Sequence, residues 1–226
     1  MGLEVALETS GRPPGLAVRA GGRTLTRELS AERAHASDLM PALDALVREL
    51  GAVPGDVSAV YVGTGPGSYT GLRVGVATAQ GLALGCGAPL VGVPSLELVA
   101  WSALAEGERG AFALDARQGE VYLARYERRG SGLETLTAPC AVALAGLGAL
   151  LAVGEPLWAD AALRASALPE GLDLRAAPPA RAALLLELGA RALAAGLARD
   201  PRTVEPLYLR PFAARPARAL TRHGDA

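Results

Sequence analysis

The sequence predicts an α/β protein of two similar lobes, each a mixed sheet with helices on its faces. Three observations predict it. The chain has 226 residues, 50% of them hydrophobic and only 20% charged, which is enough to bury a large core in one domain or two small ones. Its two halves run in the same order, strands first and then helix alternating with strand. Each half also opens on a short apolar strand that ends in an acidic residue: Val5-Ala6-Leu7-Glu8 and Phe112-Ala113-Leu114-Asp115.

The elements follow from local pattern. Leu3 to Glu8 reads as a strand and Ser10 to Gly15 as a loop; Leu16 to Ala20 and Thr24 to Leu29 form a hairpin around Gly21-Gly22. Leu39, Leu43, Leu46 and Leu50, with Met40 and Val47 beside them, have helical spacing, so a helix is expected from about Ser37 to Leu50. Pro41 fits only near its first turn. A buried strand at Val57 to Val62, a loop at Gly63 to Gly67, a helix from Ser68 to Gly85 and a strand at Leu90 to Val93 complete the first half. In the second half, strands are expected at Ala111 to Asp115 and Glu120 to Arg128, turning at Arg129 to Gly132. Helical patches follow near Val142 to Leu151 and Asp160 to Leu168, with a strand at Leu151 to Gly154 and a last helix over Ala180 to Ala195. Such a duplicated unit describes two ribonuclease-H-like lobes, with a boundary near Ala105 to Gly110. The expected division is an N-terminal lobe over 1–105, a C-terminal lobe over 106–200 and a Pro- and Arg-rich, partly disordered tail over 201–226. In that tail Arg210, Arg215, Arg218 and Arg222 are read as solvated rather than as phosphate ligands.

Composition narrows the function. The net charge of −1 provides no basic surplus for binding nucleic acid alone. Every cation is arginine; the chain has no lysine, isoleucine or asparagine. Cys86 and Cys140 are far apart and outside any metal-like spacing, so free thiols in a reducing cytoplasm are expected. No basic segment followed by a long apolar run opens the chain, and no apolar stretch is long enough to span a bilayer, so a soluble cytoplasmic protein without membrane contact is expected.

The most informative segment is Val62-Gly63-Thr64-Gly65-Pro66-Gly67-Ser68-Tyr69-Thr70-Gly71-Leu72-Arg73-Val74-Gly75. A glycine-rich turn between strand and helix offers free N–H groups at a positive helix end, which suits an anion; the same glycines also simply permit a tight turn. A Walker loop is excluded for want of lysine, and G-x-G-x-x-G fails because Ser68 or Thr70 stands at its last position. Behind the loop Gly67, Gly71, Gly75, Ala79 and Ala83 recur every four residues. Helical glycine costs about 1 kcal/mol relative to alanine, so this ridge calls for a close neighbour, either the sheet of its own lobe or a helix of a partner. With Val76 and the Leu39, Leu43 and Leu46 stripe, it makes a candidate partner interface.

Catalytic constellations are missing. Only two histidines occur, His35 and His223, with no G-x-S-x-G elbow and no His or Cys cluster, so neither a serine triad nor a metal site is expected. Glu8 and Asp115 are candidate carboxylates facing across a cleft, or solvated strand ends.

Gly65-Pro66-Gly67-Ser68-Tyr69-Thr70-Gly71-Leu72-Arg73 closely resembles the GPGS[FY]TGLR signature of the TsaB (YeaZ) family. Other pieces match in order: Leu7-Glu8-Thr9-Ser10 resembles an opening D-T-S, and His35 to Pro41 an H-S-E-x-L-x-P helix start. Asp115 to Tyr122 resembles D-A-R-x-x-E-[VI]-Y, and Pro206-Leu207-Tyr208-Leu209-Arg210 a closing P-x-Y-x-R. Glu8 stands where the family has aspartate, and Ala36 separates His35 from Ser37.

The resemblance implies lobes of the actin/hexokinase/Hsp70 type. It also implies a non-catalytic subunit needed to form N6-threonylcarbamoyladenosine on ANN-decoding tRNAs, partnered by the catalytic paralogue TsaD and the ATPase TsaE, with tRNA reached through the complex and a homodimer formed when alone. The histidine pair of TsaD's metal site has no counterpart around Val91 to Glu97. No cofactor is firmly implied; ATP or ADP enters only at the level of the complex. Candidate nucleotide or anion contacts are Glu8, Thr9, Ser10, Gly65, Gly67, Ser68 and Thr70. The rival reading is an ATP-binding, sugar-kinase-like phosphotransferase, which would need a catalytic carboxylate and magnesium-bound ATP.

Overall fold

The computed structural model describes residues 2–11, 13–30 and 36–210. His35, Arg215, Arg218, Arg222 and His223 lie outside them, as does the tail beyond Arg210.

The first sheet is built from β1 (Leu3–Glu8), β2 (Gly15–Ala20), β3 (Arg23–Glu28), β4 (Val57–Gly65) and β5 (Leu90–Pro94), in the order β3-β2-β1-β4-β5. The first three strands are antiparallel, and β4 and β5 run parallel to β1. Gly21 and Gly22, both at positive φ, close the β2–β3 hairpin, the conformation that a two-residue turn needs to match strand twist. Helix α1 (Ala36–Glu49) connects β3 to β4, and α2 (Tyr69–Cys86) connects β4 to β5. Pro41 falls in the second turn of α1 rather than its first, at the cost of one backbone hydrogen bond. Gly87, left-handed at φ 64°, ends α2 by donating its N–H to Ala83 and Leu84 carbonyls.

Helix α3 (Ser95–Ala103) leads into the second sheet, made of β6 (Arg109–Arg117), β7 (Glu120–Arg129), β8 (Gly132–Ala143), β9 (Pro156–Ala159) and β10 (Asp173–Ala176). Its order, β10-β9-β6-β7-β8, repeats the first: three antiparallel strands, then two parallel to the opening one. The duplication read from the sequence is therefore present as two ribonuclease-H-like sheets. Its helices are short, α4 (Leu147–Leu150) and α5 (Ala161–Arg164), before α6 (Ala182–Ala194).

Several expectations are corrected in this half. The turn expected at Arg129 to Gly132 is present at Gly130 and Ser131, but it leads into a twelve-residue strand, β8, which runs through Val142 and Ala143 where a helix was expected. The strand expected at Leu151 to Gly154 is a turn, and β9 begins at Pro156. Helix α3 and strand β10 were not anticipated. Both are short, and β10 is exposed throughout, so hydrophobic periodicity carries no signal there.

Alternation places the cores. On β1, β2 and β4 the large side chains Leu3, Val5, Leu7, Leu16, Val18, Val60 and Val62 face α1 and α2. The opposite face presents Ala6, Ala17, Ala59 and Tyr61, and α6 lies on it through Leu185 and Leu186. The lobes thus exchange their last helices: α6 covers the first sheet, while α3 covers the second through Leu96, Val99 and Ala100 against Phe112, Ala124 and Tyr126. The chain passes between lobes at Leu104 to Glu108.

Candidate functional site

Glu8 ends β1 directly beneath the glycine loop and is fully buried. One carboxylate oxygen accepts from Ser10 N at 2.8 Å and Ser10 Oγ at 2.5 Å; the other accepts from Ser95 Oγ at 2.8 Å. Ser95 in turn accepts from Gly65 N at 3.1 Å. Burial pushes the Glu8 carboxyl above the usual carboxylate range, against the opposing pull of these donors. Gly63 carries no side chain because a Cβ there would overlap the Glu8 carboxylate.

Ser95, the first residue of α3, was not singled out in the sequence. It lies 87 positions from Glu8, and only the parallel pairing of β5 beside β4 brings it under the loop. Its removal should be felt: Ser95→Ala strips a donor from Glu8 and an acceptor from Gly65 N, and should lower unfolding free energy by about 1–3 kcal/mol in a urea titration. An unchanged midpoint would mean the bridge is unimportant.

The loop also packs on the β1–β2 connection. Ser68 N donates to Ser10 O at 2.9 Å, and Thr9 Oγ1 donates to Gly71 O at 2.8 Å. Ser68 caps α2, its side chain accepting from Gly71 N at 3.3 Å. A Cβ at Gly67 would overlap the Ser10 carbonyl, at Gly71 the Thr9 carbonyl, and at Gly75 the Thr9 hydroxyl. Of the candidate anion contacts, Glu8, Thr9, Ser10, Gly65, Gly67 and Ser68 therefore come together, while Thr70 is exposed on the first turn of α2. Yet the N–H groups of Ser10, Gly65, Ser68 and Gly71 all bond to the protein itself. The phosphate-cradling geometry is turned inward onto the Glu8 carboxylate and three serines, Ser10, Ser68 and Ser95.

The ridge is a correction of the partner-interface expectation. Gly71 and Gly75 face the Thr9–Ser10 loop of their own lobe. Val76, Ala79 and Ala83 lie in its core with Leu39, Leu43 and Leu46, each at most 3% exposed. An apolar stripe on a helix covers the nearest sheet first, because that burial is intramolecular. The outer surfaces hold other residues: Met40, Pro41, Asp44 and Arg48 on α1, and Tyr69, Arg73, Ala77, Gly81, Leu84 and Gly85 on α2.

Nor do Glu8 and Asp115 form a pair. The Glu8 carboxylate bonds within the first lobe and to Ser95, whereas Asp115 accepts from Arg117 N at 2.8 Å at the β6–β7 turn. Among the described residues no three His, Cys, Asp or Glu side chains gather as a metal site, and no helix is long and apolar enough to cross a membrane.

Comparison with known proteins agrees with this architecture. Residues 29–179 match the family model described as TsaD: tRNA N6-adenosine threonylcarbamoyltransferase. The chain is 40% identical over 103 residues to the tRNA threonylcarbamoyladenosine biosynthesis protein TsaB of Escherichia coli (strain K12), a match covering 45% of each chain. The chain thus spans about half the length of the curated TsaB relatives it matches. An uncharacterized protein of Mycobacterium tuberculosis (strain ATCC 25618 / H37Rv) is 33% identical over 189 residues, covering 84% of this chain and 81% of its own. Among solved structures, YeaZ from Pseudomonas aeruginosa superposes with a TM-score of 0.76 at 29% identity, over 92% of this chain and 100% of that one.

Proposed function

This chain belongs to the TsaB (YeaZ) family, and on that premise we propose that it is a non-catalytic scaffold subunit for N6-threonylcarbamoyladenosine formation on ANN-decoding tRNAs. In this reading it binds and supports TsaD in the cytoplasm, with TsaE as a further partner and tRNA met through the complex. One observation carries the non-catalytic part: the glycine loop's donors at Ser10, Gly65, Ser68 and Gly71 are spent on internal partners. A phosphotransferase needs such donors free for a transferring phosphoryl group. Nucleotide, in this proposal, is bound elsewhere in the complex.

The docking face is the outer side of α1 and α2. Gly81 and Gly85 support it: both are helical, and a Cβ at either would meet nothing within 4 Å among the described residues. Each costs the helix about 1 kcal/mol relative to alanine with no return from packing among the described residues. Close approach by a helix from another chain supplies the reason, with Leu84, 46% exposed, beside them. Without TsaD the same face pairs two copies of this chain.

Reconstituted tRNA modification tests the role: TsaD, TsaE, the threonylcarbamoyl-adenylate synthase, threonine, bicarbonate, ATP and tRNA, with and without this chain. Product only in its presence, and none from this chain with preformed adenylate and tRNA, is expected; equal product without it would end the proposal. The face is tested by Gly81→Leu, which should abolish heterodimer formation in light scattering while the monomer's melting temperature does not fall. A heterodimer of normal affinity would move the interface elsewhere.

A further inference from the structure

The closing segment Pro206-Leu207-Tyr208-Leu209-Arg210 has no role in the docking face as drawn, yet it runs from one lobe to the other. On the first lobe Val204 is buried, its Cγ1 3.3 Å from where a Cβ of Gly92 would stand, and its carbonyl accepts from Gln80 Nε2 at 3.0 Å. Leu207 N donates to Thr64 O in the glycine loop at 2.8 Å, and the Tyr208 ring sits 5.4 Å from that of Tyr69. On the second lobe Arg210 grips the β6–β7 turn at three points. It donates to Ala116 O at 2.6 Å and to Gln118 Oε1 at 2.9 Å, and pairs with Glu120 at 2.6 Å.

That turn is strained. Arg117 and Gln118 have φ of 66° and 56°, followed by Gly119 at 76°. Left-handed backbone costs a residue with a Cβ about 1–2 kcal/mol, and two adjacent instances persist only where surroundings hold them. Asp115 accepts from Arg117 N and Gly119 O accepts from Leu144 N, both from within the second lobe; Arg210 adds the hold from outside it, bonding to the residues on either side of Arg117 and to Glu120 just beyond the turn.

We propose that Val204 to Arg210 are a strap, anchored on the first lobe and latched on the second by Arg210, that sets the angle between the lobes and keeps the β6–β7 turn left-handed. The chain otherwise passes between the sheets at Leu104 to Glu108 and again where α6 returns. The latch is the releasable end: Arg210 and Glu120 are 29% and 38% exposed, whereas Val204 is 4% exposed. Salt should weaken the exposed ion pair and leave the buried anchor intact.

Hydrogen exchange on the full chain tests this, with Arg210→Ala as the variant. Amides of the β6–β7 turn should exchange about tenfold faster, equivalent to about 1.4 kcal/mol of local stability, while β1 and β4 keep their protection. Raising salt from about 0.1 to 1 M should loosen the turn in the unsubstituted chain and not further in the variant. Turn exchange unchanged by Arg210→Ala would overturn the proposal. So would loss of protection spread over both sheets, because Arg210 would then be part of the general fold and not a latch.

Discussion

Gly71→Ala should destabilise the protein by about 3 kcal/mol, near the upper end for overpacking a tight contact. The added methyl would overlap the Thr9 carbonyl oxygen and come within 3.3 Å of Ser68 Cβ. Neither can yield cheaply: the Thr9 hydroxyl is bonded to Gly71 O, and Ser68 is the cap of α2. The intrinsic gain of alanine over glycine in a helix, about 1 kcal/mol, acts in the opposite direction and is outweighed. Gly81→Ala isolates that gain, because the space around Gly81 is open; it should raise stability by about 0.5–1 kcal/mol. Urea midpoints for the two variants should therefore move in opposite directions. If Gly71→Ala is neutral, the β1–β2 loop does not lie on α2 as described.

Glu97→Gln should stabilise the protein at pH 8 by up to about 3 kcal/mol. Glu97 lies on α3, where burial pushes its carboxyl up from 4.5 to about 7. Its neighbour Tyr126 is fully buried, with a hydroxyl that has no hydrogen-bond partner among the described residues. The folded state thus holds the Glu97 proton more tightly than the unfolded state does. Stability from this group is fully present below about pH 4.5, is lost as pH rises toward 7, and stays lost above it. Glutamine keeps the shape without the charge, so the variant should gain most at pH 8 and little at pH 4. Glu8, also raised by burial, contributes a slope of the same sign that the variant keeps. Unfolding curves at pH 4, 6 and 8 check this; equal stability of the two proteins at pH 8 would show that Glu97 is not held in a costly ionised state.

The two predictions mark where sequence pattern suffices and where it does not. The strands from Leu3 to Glu8 and from Glu120 onward, the helix over Leu39 to Leu50 and the glycine-loop helix were all legible, because each carries a period of 2 or 3.6 in large apolar residues. The second lobe was less so. Its helices α4 and α5 have four residues each, shorter than a pattern needs, and β8 contains Pro139 and little clean alternation.

The glycine ridge shows the same division at the site. Its four-residue spacing states that something lies very close, and the sequence is silent on what. For Gly71 and Gly75 the neighbour is Thr9, 62 and 66 positions away in the chain; Gly81 and Gly85, outside that ridge, meet nothing within 4 Å among the described residues. By itself, then, the sequence determined the two-lobed α/β class, the family resemblance, and the lack of a G-x-S-x-G elbow or a His or Cys cluster. The tertiary structure alone decided which glycines face inward, that Ser95 completes the Glu8 network, and that Arg210 reaches the second lobe. The physical reason is range: periodicity and turn chemistry act over a few residues and are written locally. Contacts between segments 62 to 94 residues apart depend on strand order and helix exchange, which no local pattern encodes.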